Sequence, residues 1–351
     1  MNRGLYIHVP FCESKCSYCN FYSLYGEQKK QKSEFTKKII SDLQSNKNKV
    51  AKTLYIGGGS PGSLPYKDLQ NIIKTATESY KISGEKTIEL NPVEVNENLS
   101  KALKQVDINR ISLGVQTFNP EFRTVLGRKG DSTYIFNAVS ILKKIVTKNI
   151  SADLIIGLPN QTLADLQADL NMMKALDIPH ISVYILKIEP KTAFYKMRKT
   201  LNFPNDDEIA DMYLKTVSFF DKINLKQYEI ANFAKNGYES KHNLNYWLGG
   251  EYYALGPSAH FYVNGKRYFY SDNLKDYLDD KPPIFDCDGG GEEEKLMLNL
   301  RLKRGISLNQ AEKYKEKIDD MREFFEIRNN RVCLNSKGFL ISNSIISELL
   351  S

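Results

Sequence analysis

Two hydrophobic rhythms alternate along residues 1–225. Short apolar runs occur at Leu5 to Val9, Thr53 to Ile56, Lys86 to Leu90, Arg110 to Val115, Ala152 to Ile156 and His180 to Leu186. Between them, Phe35 to Leu43, Leu69 to Ala76, Tyr134 to Ile145 and Leu163 to Leu176 place apolar residues at helical spacing. A repeated strand, loop and helix predicts a parallel sheet with crossover helices. Six such units fall short of a closed eight-fold barrel, so the expected fold is α/β, an open, partial (β/α)6 TIM-like barrel over 1–225. After a helix expected over Asp206 to Ile223, the aromatic and glycine-rich segment Gln227 to Tyr270 predicts an extension or closure of the sheet, within a unit spanning 226–285.

Asp286 to Glu294 sets three glycines beside five acids and reads as a flexible linker into a small unit spanning 286–351. There Glu293 to Arg304, Leu308 to Ile318 and Met321 to Phe325 predict helices, Arg331 to Leu334 a short strand, and the last residues an apolar helix. The expectation is a small, mainly helical domain with a hairpin, resembling a winged helix.

Composition narrows the function. In 351 residues of mean hydropathy −0.44, no stretch approaches the roughly 20 apolar residues that span a bilayer. Met1 to Pro10 lacks the basic and apolar regions of a signal peptide, so the expected compartment is the cytoplasm. The net charge of +7 comes from lysines spread along the chain rather than from a basic arm, which argues against nucleic acid. It suits acidic small molecules and a peripheral contact with anionic membranes equally. Five cysteines, three of them within eight residues, do not make a disulfide scaffold.

Those three, Cys12, Cys16 and Cys19, follow the first strand at spacings of four and three. Three close thiolates can hold three irons of a 4Fe-4S cluster and leave the fourth iron open to a ligand. A zinc site with His8 as fourth ligand, or three unconnected cysteines, are the alternatives, although zinc favours paired Cys-x2-Cys units. In barrels the site gathers at the C-terminal ends of the strands. Gly57 to Gly59, Asn91 and Gln116 sit at or just past the ends of apolar runs. Glu89 lies inside an apolar run, where burial without a partner is costly. Glu89, Gln116, Arg128 and Asp153 read either as ligand contacts or as groups satisfied within the barrel. The glycine run lets a backbone approach a ligand closely, or is a simple turn.

With the aromatic Tyr18 before its last cysteine, the segment Cys12 to Cys19 resembles the radical S-adenosylmethionine superfamily. There the open iron binds the methionine amine and carboxylate, and reduction of the cluster cleaves the sulfonium to a 5′-deoxyadenosyl radical. The resemblance implies an electron donor for the cluster and an S-adenosylmethionine site near Tyr6, Tyr18, Gly58, Gly59, Ser60, Glu89, Gln116, Arg128 and Asp153. From Tyr6-Ile7-His8-Val9-Pro10-Phe11-Cys12 to Gly338-Phe339-Leu340-Ile341-Ser342-Asn343, the chain resembles the family that contains the oxygen-independent coproporphyrinogen III oxidases and the HemW haem chaperones.

Three features place the resemblance on the chaperone side. Cys19 is followed by Asn20-Phe21 where the oxidases carry a fourth cysteine, and eleven residues precede Cys12 where the oxidases have a long arm. His242-Asn243-Leu244-Asn245-Tyr246-Trp247 matches the HNxxYW motif and holds the only tryptophan. A histidine between flat aromatics in a loop suits haem ligation, which makes His242 the expected haem ligand. His260, in Gly256-Pro257-Ser258-Ala259-His260, is the second candidate, with a structural turn as its expected role. The resemblance implies haem as bound cargo and haem-accepting proteins as partners. The rivals are a true coproporphyrinogen III oxidase and a binding module with a purely structural cluster. One position departs from the family: Lys129-Gly130 follows Leu126-Gly127-Arg128, where a histidine usually stands at the second place. Cys287 and Cys333 match nothing in it.

Overall fold

The computed structural model describes residues 3–26 and 28–351. The reading of Met1 to Pro10 as lacking a leader therefore lies partly outside the described residues.

The strands, in chain order, are β1 (Gly4–Val9), β2 (Phe11–Cys12), β3 (Leu24–Tyr25), β4 (Thr53–Gly58), β5 (Lys86–Leu90), β6 (Arg110–Gln116), β7 (Ile150–Ile156) and β8 (His180–Ile185). They continue with β9 (Lys226–Gln227), β10 (Asn232–Ala234), β11 (Tyr252–Leu255), β12 (His260–Val263), β13 (Lys266–Phe269) and β14 (Ile284–Asp288). One twelve-stranded sheet runs β14-β13-β12-β11-β1-β4-β5-β6-β7-β8-β10-β9, with β1 and β4 to β8 mutually parallel. It is an open barrel of six β/α units. The residues from β9 to β14 extend both edges: β11 pairs parallel with β1, and β12 to β14 and β10 to β9 are antiparallel additions. The small pair β2 and β3 brackets the cysteine loop.

Each crossover helix turns a buried stripe toward the sheet. In Lys29–Ser45 the stripe is Phe35, Thr36, Ile39 and Leu43, and in Tyr66–Ser79 it includes Leu69, Ile72, Ile73 and Ala76. A further helix, Glu97–Gln105, completes the unit between β5 and β6; Asn96 caps its first turn by accepting from the Leu99 N–H.

The linker expected over 286–294 is corrected by the structure. Its first residues belong to β14, paired with β13, and its last ones open the helix Glu292–Asn299. Glu294 ties this segment down through Arg267, at 2.8 Å to its Nε, and through the Gly290 N–H. Beyond it, β15 (Ile306–Ser307), β16 (Phe325–Arg328) and β17 (Arg331–Leu334) form a three-stranded sheet flanked by short helices, including Ser336–Leu340 and Ser342–Leu350. Met321 to Phe325, expected as helix, is a single 3-10 turn at Arg322–Phe324 leading into β16. Leu300, Ile306, Leu334, Phe339 and Ile345 join the same hydrophobic core as the barrel strands. The C-terminal elements are therefore packed onto the barrel rather than hung from it. No described helix is long and apolar enough to cross a membrane.

Candidate functional site

Parallel strands that all point one way deliver their C-terminal ends, and the loops that follow, to one mouth. At that mouth lies a cavity of about 550 Å³. Its wall includes Cys12, Cys16, Tyr18 and Cys19 from the segment after β1, with Gly58 at the end of β4 and Gly59 and Ser60 just past it. Glu89, Gln116, Arg128 and Asp153 from the next three units complete the expected set. Residues up to 141 positions apart in sequence, from Cys12 to Asp153, thus share one wall. Tyr6 does not line it. Its hydroxyl meets His8 Nδ1 at 3.1 Å and its ring lies against Tyr55, deeper in the barrel.

The three thiols stand on the same loop, and desolvation raises those of Cys12, to about 12, and Cys19. Neighbouring thiols push both in the same direction. Multiple cations would relieve that electrostatic arrangement, and Arg128 already sets its Nη1 3.7 Å from Cys16 Sγ. Among the described residues no three His, Cys, Asp or Glu side chains already converge at metal-binding distance. His8 is not a fourth ligand: it is buried, with Nδ1 on Tyr6 and Nε2 on the Tyr22 carbonyl at 2.9 Å.

A buried clamp shapes the wall near the cysteines. Arg123, 1% exposed, donates from Nε to the Gly130 carbonyl (2.7 Å), from Nη1 to those of Val115 (2.9 Å) and Thr117 (3.0 Å), and from Nη2 to that of Lys129 (2.7 Å). This pins the loop that carries Arg128, and the Ser17 N–H donates to the Leu126 carbonyl at 3.0 Å to join it to the cysteine loop. Gly130 has φ +74°, and an added Cβ would lie 2.7 Å from Val93 Cγ1. The histidine usual in the family would be strained and crowded in this backbone. Among the described residues Arg128 Nε is buried without a partner, a polar atom suited to a bound anion or polar ligand.

The glycine run has a structural cause that its spacing concealed. A Cβ on Gly57 would lie 2.6 Å from the Glu89 carboxylate, one on Gly58 2.5 Å from the His8 ring, and one on Gly59 2.7 Å from the Phe11 carbonyl. The glycines let β4 lie against β1 and over Glu89, while Gly58 and Gly59 also line the cavity. Glu89 accepts from Tyr55 Oη at 2.6 Å and from the Gly58 N–H at 3.2 Å, and burial raises its pKa. Gln116, buried at the end of β6 with φ +71°, holds a left-handed conformation that costs a side-chain-bearing residue about 1–3 kcal/mol. Such strain is typical of ligand sites. Sequence reasoning missed Glu94, which accepts from Ser60 Oγ at 2.6 Å and from the Asn91 N–H at 3.0 Å, so it fixes the loop after β4. It also missed Tyr184, at the end of β8. Their only signal was a position at or just past a strand end.

His242 is not in a loop. Ser240 and the Glu85 carboxylate, which accepts from the Lys241 and His242 N–H groups, start a helix over Lys241–Trp247 that sits at the opposite end of the barrel, under Gly4 and Thr53. His242 is 1% exposed, with Nδ1 on Thr53 Oγ1 (2.8 Å) and Nε2 on Tyr246 Oη (2.7 Å). Both nitrogens are engaged within the barrel, whereas the sequence places the histidine in a loop. His260, expected in a turn, is exposed and opens β12.

Asp153 makes the barrel interior sensitive to pH. Burial, and then the charge of Glu89, push its pKa up to about 7. The folded chain holds this proton where the unfolded one has lost it, so the stabilising contribution is full below about 4 and disappears as pH rises through 7. Asp153→Asn is expected to stabilise the metal-free protein by on the order of 2–4 kcal/mol at pH 8 and to leave it little changed at pH 4. Urea unfolding at the two pH values checks this; an equal gain at both would contradict it.

The open six-unit barrel, with three cysteines and a glycine-walled cavity at the strand ends, is the architecture of a radical S-adenosylmethionine protein, and a profile of the Radical SAM superfamily matches residues 6–173. Membership carries the use of a 4Fe-4S cluster with S-adenosylmethionine and the capacity to cleave the latter reductively. The heme chaperone HemW of Bacillus subtilis is 35% identical over an alignment covering 99% of both chains, and that of Lactococcus lactis is 31% identical over 99% of this chain and 97% of its own. The chain belongs to the HemW family. Among solved structures, the Escherichia coli coproporphyrinogen III oxidase HemN has the same fold, with a TM-score of 0.85 over 99% of this chain and 90% of its own at 18% identity.

Proposed function

We propose that this protein is a haem chaperone: it binds haem reversibly and passes it to haem-requiring proteins, in the cytoplasm. The observation that carries the reading is the end-to-end likeness to curated haem chaperones, whereas the likeness to the oxidase is one of fold. Cys12, Cys16 and Cys19 would hold the cluster, and S-adenosylmethionine would lie against Tyr18, Gly58, Gly59, Ser60, Glu89, Gln116, Arg128 and Asp153. Bound there, the pair supplies one-electron reductive chemistry. The chain's own part is positional. Arg128 sets a cation beside Cys16, Glu94 fixes Ser60, and Arg123 holds the loop that presents Arg128. Tyr18 packs with Ile155, Leu158 and Phe194 in an apolar wall that limits water at this side of the cavity.

One anaerobic preparation, reconstituted with iron and sulfide, tests the reading in two assays. The expected result is saturable haem binding near one equivalent, with reductive cleavage of S-adenosylmethionine and no decarboxylation of coproporphyrinogen III. Decarboxylation without haem binding would establish the oxidase instead.

A further inference from the structure

The cysteine loop is itself part of the surface: Glu13, Ser14 and Lys15, between its first two cysteines, are exposed. One flank of the loop is closed by the segment Lys187 to Thr200, which follows β8. The Phe194 N–H donates to the Ser17 carbonyl at 3.0 Å, and the Phe194 ring belongs to the apolar cluster against which Tyr18 packs. Thr192 starts the short helix Ala193–Met197 by accepting from the Tyr195 N–H at 3.1 Å. Thr192 and Phe194 are the only buried residues between Lys187 and Thr200. Lys187 and Glu189 stand at the cavity wall, while Lys191, Tyr195, Lys196, Met197, Arg198 and Lys199 are exposed.

This anchored segment carries five cations, Lys187, Lys191, Lys196, Arg198 and Lys199, against the single acid Glu189. Among the described residues none of the five forms an ion pair; Arg198 lies over the Tyr195 ring, 3.9 Å from its centroid, and donates to the Tyr195 carbonyl at 2.5 Å. Lys15 adds a charge on the cysteine loop itself. The next acids along the chain, Asp206, Asp207 and Glu208, serve the first turn of the helix Asp206–Lys222, where Glu208 accepts from the Asn205 N–H at 2.8 Å. A second lysine-rich run, Lys29 to Lys38, spends most of its charge internally: Lys30 faces Glu34, Lys32 the Ser63 carbonyl, and Lys38 both Asp42 and Asp280.

We infer that the surface formed by Lys191 to Lys199 and Lys15 is the docking site of a small acidic protein that delivers the electron for the cluster. The inference rests on the assignment of the cluster to Cys12, Cys16 and Cys19. Reductive cleavage consumes one electron from outside the chain, and tunnelling needs a short path, which a segment hydrogen-bonded to the cysteine loop provides. A field of one sign beside a redox centre draws in a carrier of the opposite sign and orients it. Tyr195 and Met197, 36% and 38% exposed among the cations, add the aromatic and methionine contacts that protein interfaces favour and that attraction to an anionic membrane does not need. The transfer moves one electron and no proton: an anionic flavin hydroquinone on the carrier becomes the neutral semiquinone, and the cluster is reduced by one charge.

The test uses full-length protein reconstituted with iron and sulfide, with a strongly acidic flavodoxin as the probe carrier. Calorimetry measures its affinity, and anaerobic rapid mixing with flavodoxin hydroquinone follows the appearance of the semiquinone. The charge reversal Lys191→Glu/Lys196→Glu/Lys199→Glu is expected to weaken binding and slow transfer by about tenfold or more, and wild-type affinity is expected to fall as salt rises. Reduction by dithionite, which needs no docking surface, should change far less. Lys47→Glu/Lys148→Glu/Lys174→Glu, exposed positions at the opposite end of the barrel where crossover helices finish, should behave as wild type. Unchanged affinity and rate in the first variant, equal losses in both, or no binding by wild type would overturn the inference. So would a loss confined to phosphatidylglycerol vesicles, which would give the surface to a membrane. If dithionite fails to reduce the wild type, the cluster assignment falls and the inference with it.

Discussion

Replacing any one of Cys12, Cys16 and Cys19 by alanine is expected to remove nearly all bound iron and sulfide from the reconstituted protein. The three thiols share one loop and one cavity wall, and among the described residues no other cysteine lines that cavity. His8 is sealed inside the barrel, Cys333 is buried against β16 with its Sγ 3.6 Å from the Glu326 carbonyl, and Cys287 lies on the edge strand. Iron and sulfide analysis, with the visible absorbance of the cluster, measures the effect. Cys287→Ala and Cys333→Ala should keep the full content. Retention of the cluster by a single-cysteine variant of the loop would mean that the ligand set has been misassigned.

The largest effect on stability is expected from Arg123→Ala. The guanidinium sits almost wholly out of water and donates to four backbone carbonyls. Burial lowers its pKa, to about 10, with Arg128 adding to the shift, and it remains charged at neutral pH. Truncation leaves four carbonyls short of a donor and opens a cavity behind the loop of Arg128. A loss of about 3–5 kcal/mol follows, in the range for breaking a buried charged network. Arg123→Lys should recover only a fraction, since an ammonium cannot span the same fork of acceptors. Denaturant unfolding of the cluster-free protein checks the magnitude. A loss below about 1 kcal/mol would show that the loop is held by other contacts.

Much of the barrel was legible because its strands are largely buried on both faces and so read as short runs rich in apolar and β-branched residues. Lys86–Leu90 and Arg331–Leu334 have the bounds that the pattern predicts, and the other barrel strands differ by no more than two residues at either end. What failed had no local signal. Every residue of β14 is exposed, so no alternation marks it; the strand exists through its pairing with β13, and the following turn through the long-range tie of Glu294 to Arg267. The cavity residues were visible as polar groups within or at the ends of apolar runs, where a polar group is expensive unless it is used. Glu94 lies beyond the strand, where a polar residue is unremarkable. The sequence around His242 reads the same whether its ring faces solvent or the barrel floor. Only the approach of Gly4, Thr53 and Glu85, remote in sequence, decides which.

The central claim is that the protein carries haem in order to give it away. Its most direct test is anaerobic transfer from the haem-loaded, cluster-reconstituted protein to a haem-depleted acceptor separated from it by size. The account predicts that haem moves to the acceptor, that the donor returns to its haem-free spectrum, and that transfer requires the intact cysteine loop. Haem that stays on the protein in the presence of excess acceptor, together with turnover of coproporphyrinogen III, would contradict it.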